Sequence, residues 1–142
     1  MMLELDGVLV DAAPEIAAAA NAVSGRRSAP DAQAVQALRE LRRLGVTTAL
    51  VTNKETRFTA PLLHAHDLWQ WFDAVICGDM VDRMKPDPLA VEHCLGRFKI
   101  APARALLVGD SELDRATARN AGVAVLATLG AAVEALERAI PA

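Results

Sequence analysis

Cysteine is scarce in this chain. Cys77 and Cys94 are the only two in 142 residues and they form no C-x-x-C pair, so neither a disulfide framework nor a thiolate metal site is indicated. Cys77 stands in an apolar run, where a buried reduced thiol is the plain expectation, and the compartment implied is the reducing cytoplasm. A basic excess is missing too. Fifteen Lys and Arg against 18 Asp and Glu leave a net charge of −3, which removes the bulk attraction to phosphate backbones that nucleic-acid binding relies on. No apolar run reaches the roughly 20 residues of a membrane span, and the Ala-rich stretch at residues 12–22 holds Pro14 and Glu15 and reads as a soluble helix. Neither nucleic acid nor membrane is therefore expected as a partner. Glu4, Asp6 and Asp11 break the basic-then-apolar pattern of a secretory signal. His64, His66 and His93 have no ligand spacing with one another or with Cys94, so they are expected on helix surfaces.

What is present is an ordinary globular composition, with 53% hydrophobic and 23% charged residues. Residues 1–142 are expected to form one domain with a sizeable core. Short apolar runs at residues 1–5, 46–51, 74–77, 105–108 and 123–126 read as strands. Helical patterns lie between them at residues 30–44, 55–66, 88–97, 112–121 and 131–139. Gly45 and Gly122 suit helix C-termini, and Ser111 with Asp114 forms an S-x-x-D cap frame. Trp69 and Trp71 are expected to pack into the core at a helix-to-strand junction. This alternation predicts an α/β fold, a Rossmann-like three-layer sandwich around a central parallel sheet of about five strands.

Polar residues fall where those strands end. The first run leads into Glu4 and Asp6, the second into Thr52 and Asn53, the third into Gly78 and Asp79, and the fourth into Gly109 and Asp110. In open parallel sheets ligands bind outside the carboxyl ends of the strands, so these groups are expected to converge. Carboxylates gathered there repel one another, and a divalent cation with oxygen ligands relieves the repulsion; Mg²⁺ then favours a phosphate as shared ligand.

Four ordered motifs extend this reading: E-L-D-G-V-L-V-D at residues 4–11, V-T-N-K at 51–54, K-P-D-P at 85–88 and G-D-S-E-L-D at 109–114. In that order the chain resembles the haloacid dehalogenase superfamily of phosphohydrolases, most closely its phosphoglycolate phosphatase-like branch. The resemblance implies a phosphomonoester hydrolase working through an acyl-phosphate. It places Glu4 at the nucleophile and Asp6 at the general acid/base. Thr52, with the backbone of Asn53, is placed on the phosphoryl oxygens, and Lys85 on the phosphoryl charge. Mg²⁺ is expected on Glu4, the carbonyl of Asp6, Asp110 and Asp114. Asp79, Asp82 and Arg83 are expected as solvated turn residues, Arg26 and Arg27 as a solvated loop pair, and Asp11 as a helix cap.

Two departures accompany the match. Glu4 stands where the family has aspartate, and its added methylene displaces the carboxylate by roughly 1.5 Å; a misplacement of about 1 Å can cost on the order of 10²-fold in rate. The helical cap domain usual in this branch has no room, because only residues 12–45 separate the first two motifs and no domain-sized insertion lies between Asn53 and Lys85. The crevice is thus expected open, suiting a phosphorylated small molecule or a phosphoryl group exposed on a larger partner, with a homo-oligomer left open. The alternative is a catalytically degenerate binding or regulatory module of the same fold. A phosphoacceptor receiver domain is disfavoured because its acids do not follow the lysine.

Overall fold

The computed structural model describes residues 7–10, 32–65, 67–109 and 111–139. Its centre is a five-stranded sheet in the order β3-β2-β1-β4-β5, with β1 at Gly7–Val10, β2 at Thr47–Val51, β3 at Ala74–Ile76, β4 at Ala105–Val108 and β5 at Ala124–Leu126. Every pairing is parallel. The described helices are α1 (Ala32–Arg43), α2 (Thr56–Ala65), α3 (Leu89–Phe98), α4 (Glu112–Ala121) and α5 (Leu129–Ala139).

Four of the expected strands and the five helices expected from residue 30 onward recur within two residues of their anticipated ends, and the helix expected at residues 12–22 lies outside the described residues. The first strand differs. The run at residues 1–5 lies outside the described residues, and β1 is formed by Gly7–Val10, within the first motif. Gly-Val-Leu-Val is wholly apolar and rich in β-branched side chains, as a central parallel strand flanked on both sides requires.

Alternation within the strands builds the layers. Leu50, Leu106 and Val108 face a cluster with Leu38 and Leu41 of α1 and Leu129 and Leu136 of α5. Ala49, Val51, Ala105 and Leu107 face the other way, onto Val91 and Cys94 of α3 and Ala118 and Ala121 of α4. β4 is buried along its whole length, which accounts for its unbroken apolar sequence, whereas β2 opens on Thr47 and Thr48 before its apolar Ala49–Val51. Trp69 and Trp71 pack against the first cluster, as expected. Cys77 and Cys94 are free and buried, and burial pushes the Cys94 thiol up to about 11.

The chain runs from β1 outward to β2 and β3, then crosses to β4 and β5 on the other side. That reversal makes the β1–β4 boundary a topological switch point, the place where such sheets open a crevice at their carboxyl ends. No helix among the described residues is long and apolar enough to cross a membrane.

Candidate active site

Three segments bring described side chains to that crevice. After β2, Thr52 prolongs the ladder by donating its N–H to Ile76 O at 3.0 Å. Its hydroxyl accepts from the Lys54 N–H at 3.1 Å and keeps its own proton for a further acceptor. After β3 the chain returns through a loop to Lys85, which is only 4% exposed. After β4, Ser111 caps α4 by accepting from Asp114 N–H at 3.1 Å, which sets Asp114 in the first turn, 3% exposed.

Lys85 and Asp114 meet. The ammonium donates to the Val51 carbonyl at 3.2 Å and to Asp114 Oδ1 at 3.3 Å. Asp114 Oδ2 accepts from the Ser111 hydroxyl at 2.8 Å. A buried charge of either sign is costly unless paired and hydrogen-bonded, and here each satisfies the other. Glycine makes both approaches feasible. A Cβ at Gly109 would collide with the Asp114 carboxylate, and one at Gly78 would collide with the Asn53 carbonyl oxygen.

Asn53 has a part that spacing did not reveal. Its side chain donates to Lys85 O at 3.1 Å and accepts from Lys85 N–H at 3.1 Å, clamping the lysine backbone from both sides, where the peptide bond to Pro86 is cis. Only the backbone of Asn53 had been singled out, for phosphate. The motif V-T-N-K carried the signal, since an amide is the side chain able to donate and accept toward one peptide. Ser111 was recognised as a cap, but its second bond, to the carboxylate of Asp114, was not.

Thr52, Asn53, Lys85 and Asp114 are therefore brought to one place. Glu4, Asp6, Asp110 and Asp11, like His66, lie outside the described residues. Asp79 and Asp82 are exposed, as expected of turn residues; Asp79 binds the N–H and hydroxyl of Thr56 at 2.9 and 2.8 Å, and the Thr56 hydroxyl bond chiefly holds its carboxyl below the usual range. His64 and His93 are exposed on α2 and α3. No group of three or more His, Cys, Asp or Glu able to hold a metal occurs among the described residues. A shallow depression of about 430 Å³ between α1 and α5 is lined by none of the site residues.

Toward a hard divalent cation the described residues offer one buried carboxylate, Asp114, at the carboxyl end of β4, packed against Gly109 and already bonded to Lys85 and Ser111; Asp110 is the further acid of that motif in the sequence.

A family model for haloacid dehalogenase-like hydrolases matches residues 27–128. This chain belongs to that family. A phosphoglycolate phosphatase of Nitrosospira multiformis is 34% identical, with 86% of this chain and 79% of that protein covered. That alignment runs over 179 residues, more than the 142 of this chain, so the relative carries residues with no counterpart here. A phosphoglycolate phosphatase of Thiobacillus denitrificans is 41% identical over 64% of this chain, which spans only 40% of that relative's length. A family hydrolase of subfamily IA from Geobacter sulfurreducens superimposes with a TM-score of 0.67 at 28% identity, covering 74% of this chain and 55% of its own. The α/β architecture expected of the family is the one observed.

Proposed function

We propose that this chain is a Mg²⁺-dependent phosphomonoester hydrolase of phosphoglycolate phosphatase-like type, working through an acyl-phosphate. The supporting observation is the buried Lys85 ammonium, held between Asp114 and the carbonyl of Val51, the residue before Thr52, at the carboxyl ends of a parallel sheet. A preorganised cation and a hydroxyl donor, kept from water, are what a transferring phosphoryl group needs. The names of the relatives and the family match point the same way.

In the proposed reaction a carboxylate of the first motif attacks phosphorus. The P–O ester bond breaks with its electron pair on the departing alkoxide, which takes a proton from a second acid. Water, giving its proton back to that group, then displaces the carboxylate and releases inorganic phosphate. Thr52 and the backbone of Asn53 bind phosphoryl oxygens, and Lys85 offsets their charge. Asp110 and Asp114 would hold Mg²⁺ together with the acids of the first motif; when bound, the ion adds positive charge against the phosphoryl oxygens. A single open domain over residues 1–142, without a cap, acting on a phosphorylated small molecule or an exposed phosphoryl group, belongs to the same reading.

The motif alignment assigns the nucleophile to Glu4 and the acid/base to Asp6. The register of β1 supports a second reading. Val10 pairs with Leu50 and Val108, while Gly7 pairs with Thr47 and Ala105. In the sequence Asp11 follows the carboxyl end of β1 directly, whereas Asp6 precedes its first residue, Gly7, whose partner Thr47 is about 16 Å of strand before Thr52. On that ground we read Asp11 as the alternative nucleophile, of the ordinary aspartate length that Glu4 lacks.

Hydrolysis of p-nitrophenyl phosphate with and without Mg²⁺ tests the proposal, using wild type, Glu4→Gln and Asp11→Asn. Metal-dependent turnover lost by about 10³-fold in one variant identifies the nucleophile. Background turnover in the wild type, with phosphate still bound, returns the degenerate binding module instead.

A further inference from the structure

Among the described residues, the large apolar side chains left in solvent are Phe58, Met80, Met84 and Leu113, at 58%, 50%, 49% and 37% exposure. Apolar side chains scattered over a surface need no explanation. These are not scattered. Phe58 is in the first turn of α2 after β2, Met80 and Met84 are in the stretch after β3, and Leu113 is in the first turn of α4 after β4. Each therefore follows the carboxyl end of a strand, and none lies on a segment entering an amino end.

Covalent neighbourhood ties them to the site. Met84 precedes Lys85 and Leu113 precedes Asp114, the two residues joined at 3.3 Å. The Met80 turn is fixed to the start of α2 by the bonds from Thr56 to Asp79 at 2.9 and 2.8 Å. Met80 Sδ accepts from the Cys77 N–H at 3.4 Å. The Met84 sulfur lies close enough to Gly78 that a Cβ there would come within 2.8 Å of it. The Arg57 guanidinium covers one side of the Phe58 ring, 4.7 Å from its centroid. Arg57 and Arg83 are in turn paired with Glu55 at 3.4 Å and Asp87 at 2.8 Å.

We propose that this apolar rim grips the organic part of the phosphate ester, so that the preferred substrates are monoesters bearing an aromatic or extended apolar group. The proposal rests on the phosphatase reading above and adds a substrate class to it. Thioethers are polarisable, adaptable and favourable partners for aromatic rings. With no cap expected over the crevice, these side chains are the large exposed apolar surface among the described residues at the end of the sheet that carries Lys85. Burying about 60 Å² of ring surface against it gives roughly a tenfold gain in affinity.

The test compares 1-naphthyl phosphate with methyl phosphate, with Mg²⁺, in wild type and in the Phe58→Ser/Met84→Ser variant, after thermal melts confirm that both are folded. The expected result is a KM about tenfold lower for the naphthyl ester in the wild type, and a ratio near one in the variant. Equal KM values in the wild type, or a tenfold ratio that persists in the variant, overturn the proposal. Where neither ester is turned over, the phosphatase reading fails by itself; equilibrium dialysis of 1-naphthyl phosphate against inorganic phosphate then reads the same ratio, with the same two outcomes. A wild-type dimer in sedimentation that disperses in the variant while ester preference is unchanged also overturns it, assigning the rim to a second copy of the chain.

Discussion

Helix α4 carries acids engaged on two opposite terms. On its inner side Asp114 meets Lys85 at 3.3 Å, with side-chain exposures of 5% and 1%. On its outer side Glu112 meets Arg115 at 3.2 Å and Arg119 at 3.0 Å, all at 48% exposure or more. The distances are alike and the consequences are not. The outer carboxylate sits in water, where such pairs contribute little and are screened by salt. The inner pair has given up hydration on both partners, and a hydrophobic pair of similar volume is often as stable or more so. Nothing in folding alone calls for Lys85 at that position. Its place at the ligand end of the sheet is what the proposed phosphoryl-binding role would account for, at a structural cost that the bonds to Val51 O and from Ser111 reduce.

Removing the inner cation is the hardest blow to that contrast. Lys85→Met leaves the Asp114 carboxylate buried and unbalanced, so urea titration is expected to show about 3–5 kcal/mol lost, and phosphatase assays about 10²–10³-fold less kcat. Combining Lys85→Met with Asp114→Leu separates the two effects. Stability is expected to return to within about 1 kcal/mol of wild type or above it, while activity stays lost. A double variant as unstable as the single one would mean that the pair is needed by the fold.

Asn53→Ala comes next. It removes the two bonds that hold the Lys85 backbone but leaves the ammonium, so its effect is expected on kcat, by about 10–10²-fold, with KM changing less. Ser111→Ala is smaller in activity and measurable in stability. It deletes the N-cap and a bond to Asp114, at about 1 kcal/mol by thermal or chemical melt.

The contrast between the two sides of α4 was half legible in the amino-acid sequence. The S-x-x-D frame announced the cap, because only a short polar side chain at that position can accept the free N–H. The apolar strands read clearly, since a strand buried on both faces is apolar nearly throughout, as β4 is along its whole length. Asp114 and Lys85 were paired with the site through motif order, while no periodicity distinguishes a buried lysine from a solvated one. The clamp by Asn53 depends on a loop returning across dozens of residues, which no local pattern encodes. The strand expected at residues 1–5 lies outside the described residues, and Gly7–Val10, inside the first motif, was not singled out as a strand. Its pairing with β2 and β4 is a long-range contact.

The outer side of α4 supplies the smallest and sharpest check. The side-chain bond from Arg119, then that from Arg115, holds the Glu112 carboxyl below its usual range. A carboxylate lowered in this way adds stability that is present above its unfolded pKa and fades as the pH falls through the folded value. Glu112→Gln is thus expected to melt slightly below wild type at pH 7, and the gap should close as the pH falls through the lowered value of the folded carboxyl. The gap should also shrink in 1 M salt, since both partners are exposed. Phosphatase activity should be unchanged, because Glu112 faces away from Lys85. A gap that widens in acid, or that ignores salt, would mean that the outer pairs are bound to the fold as tightly as the inner one, and the distinction drawn from burial would be lost.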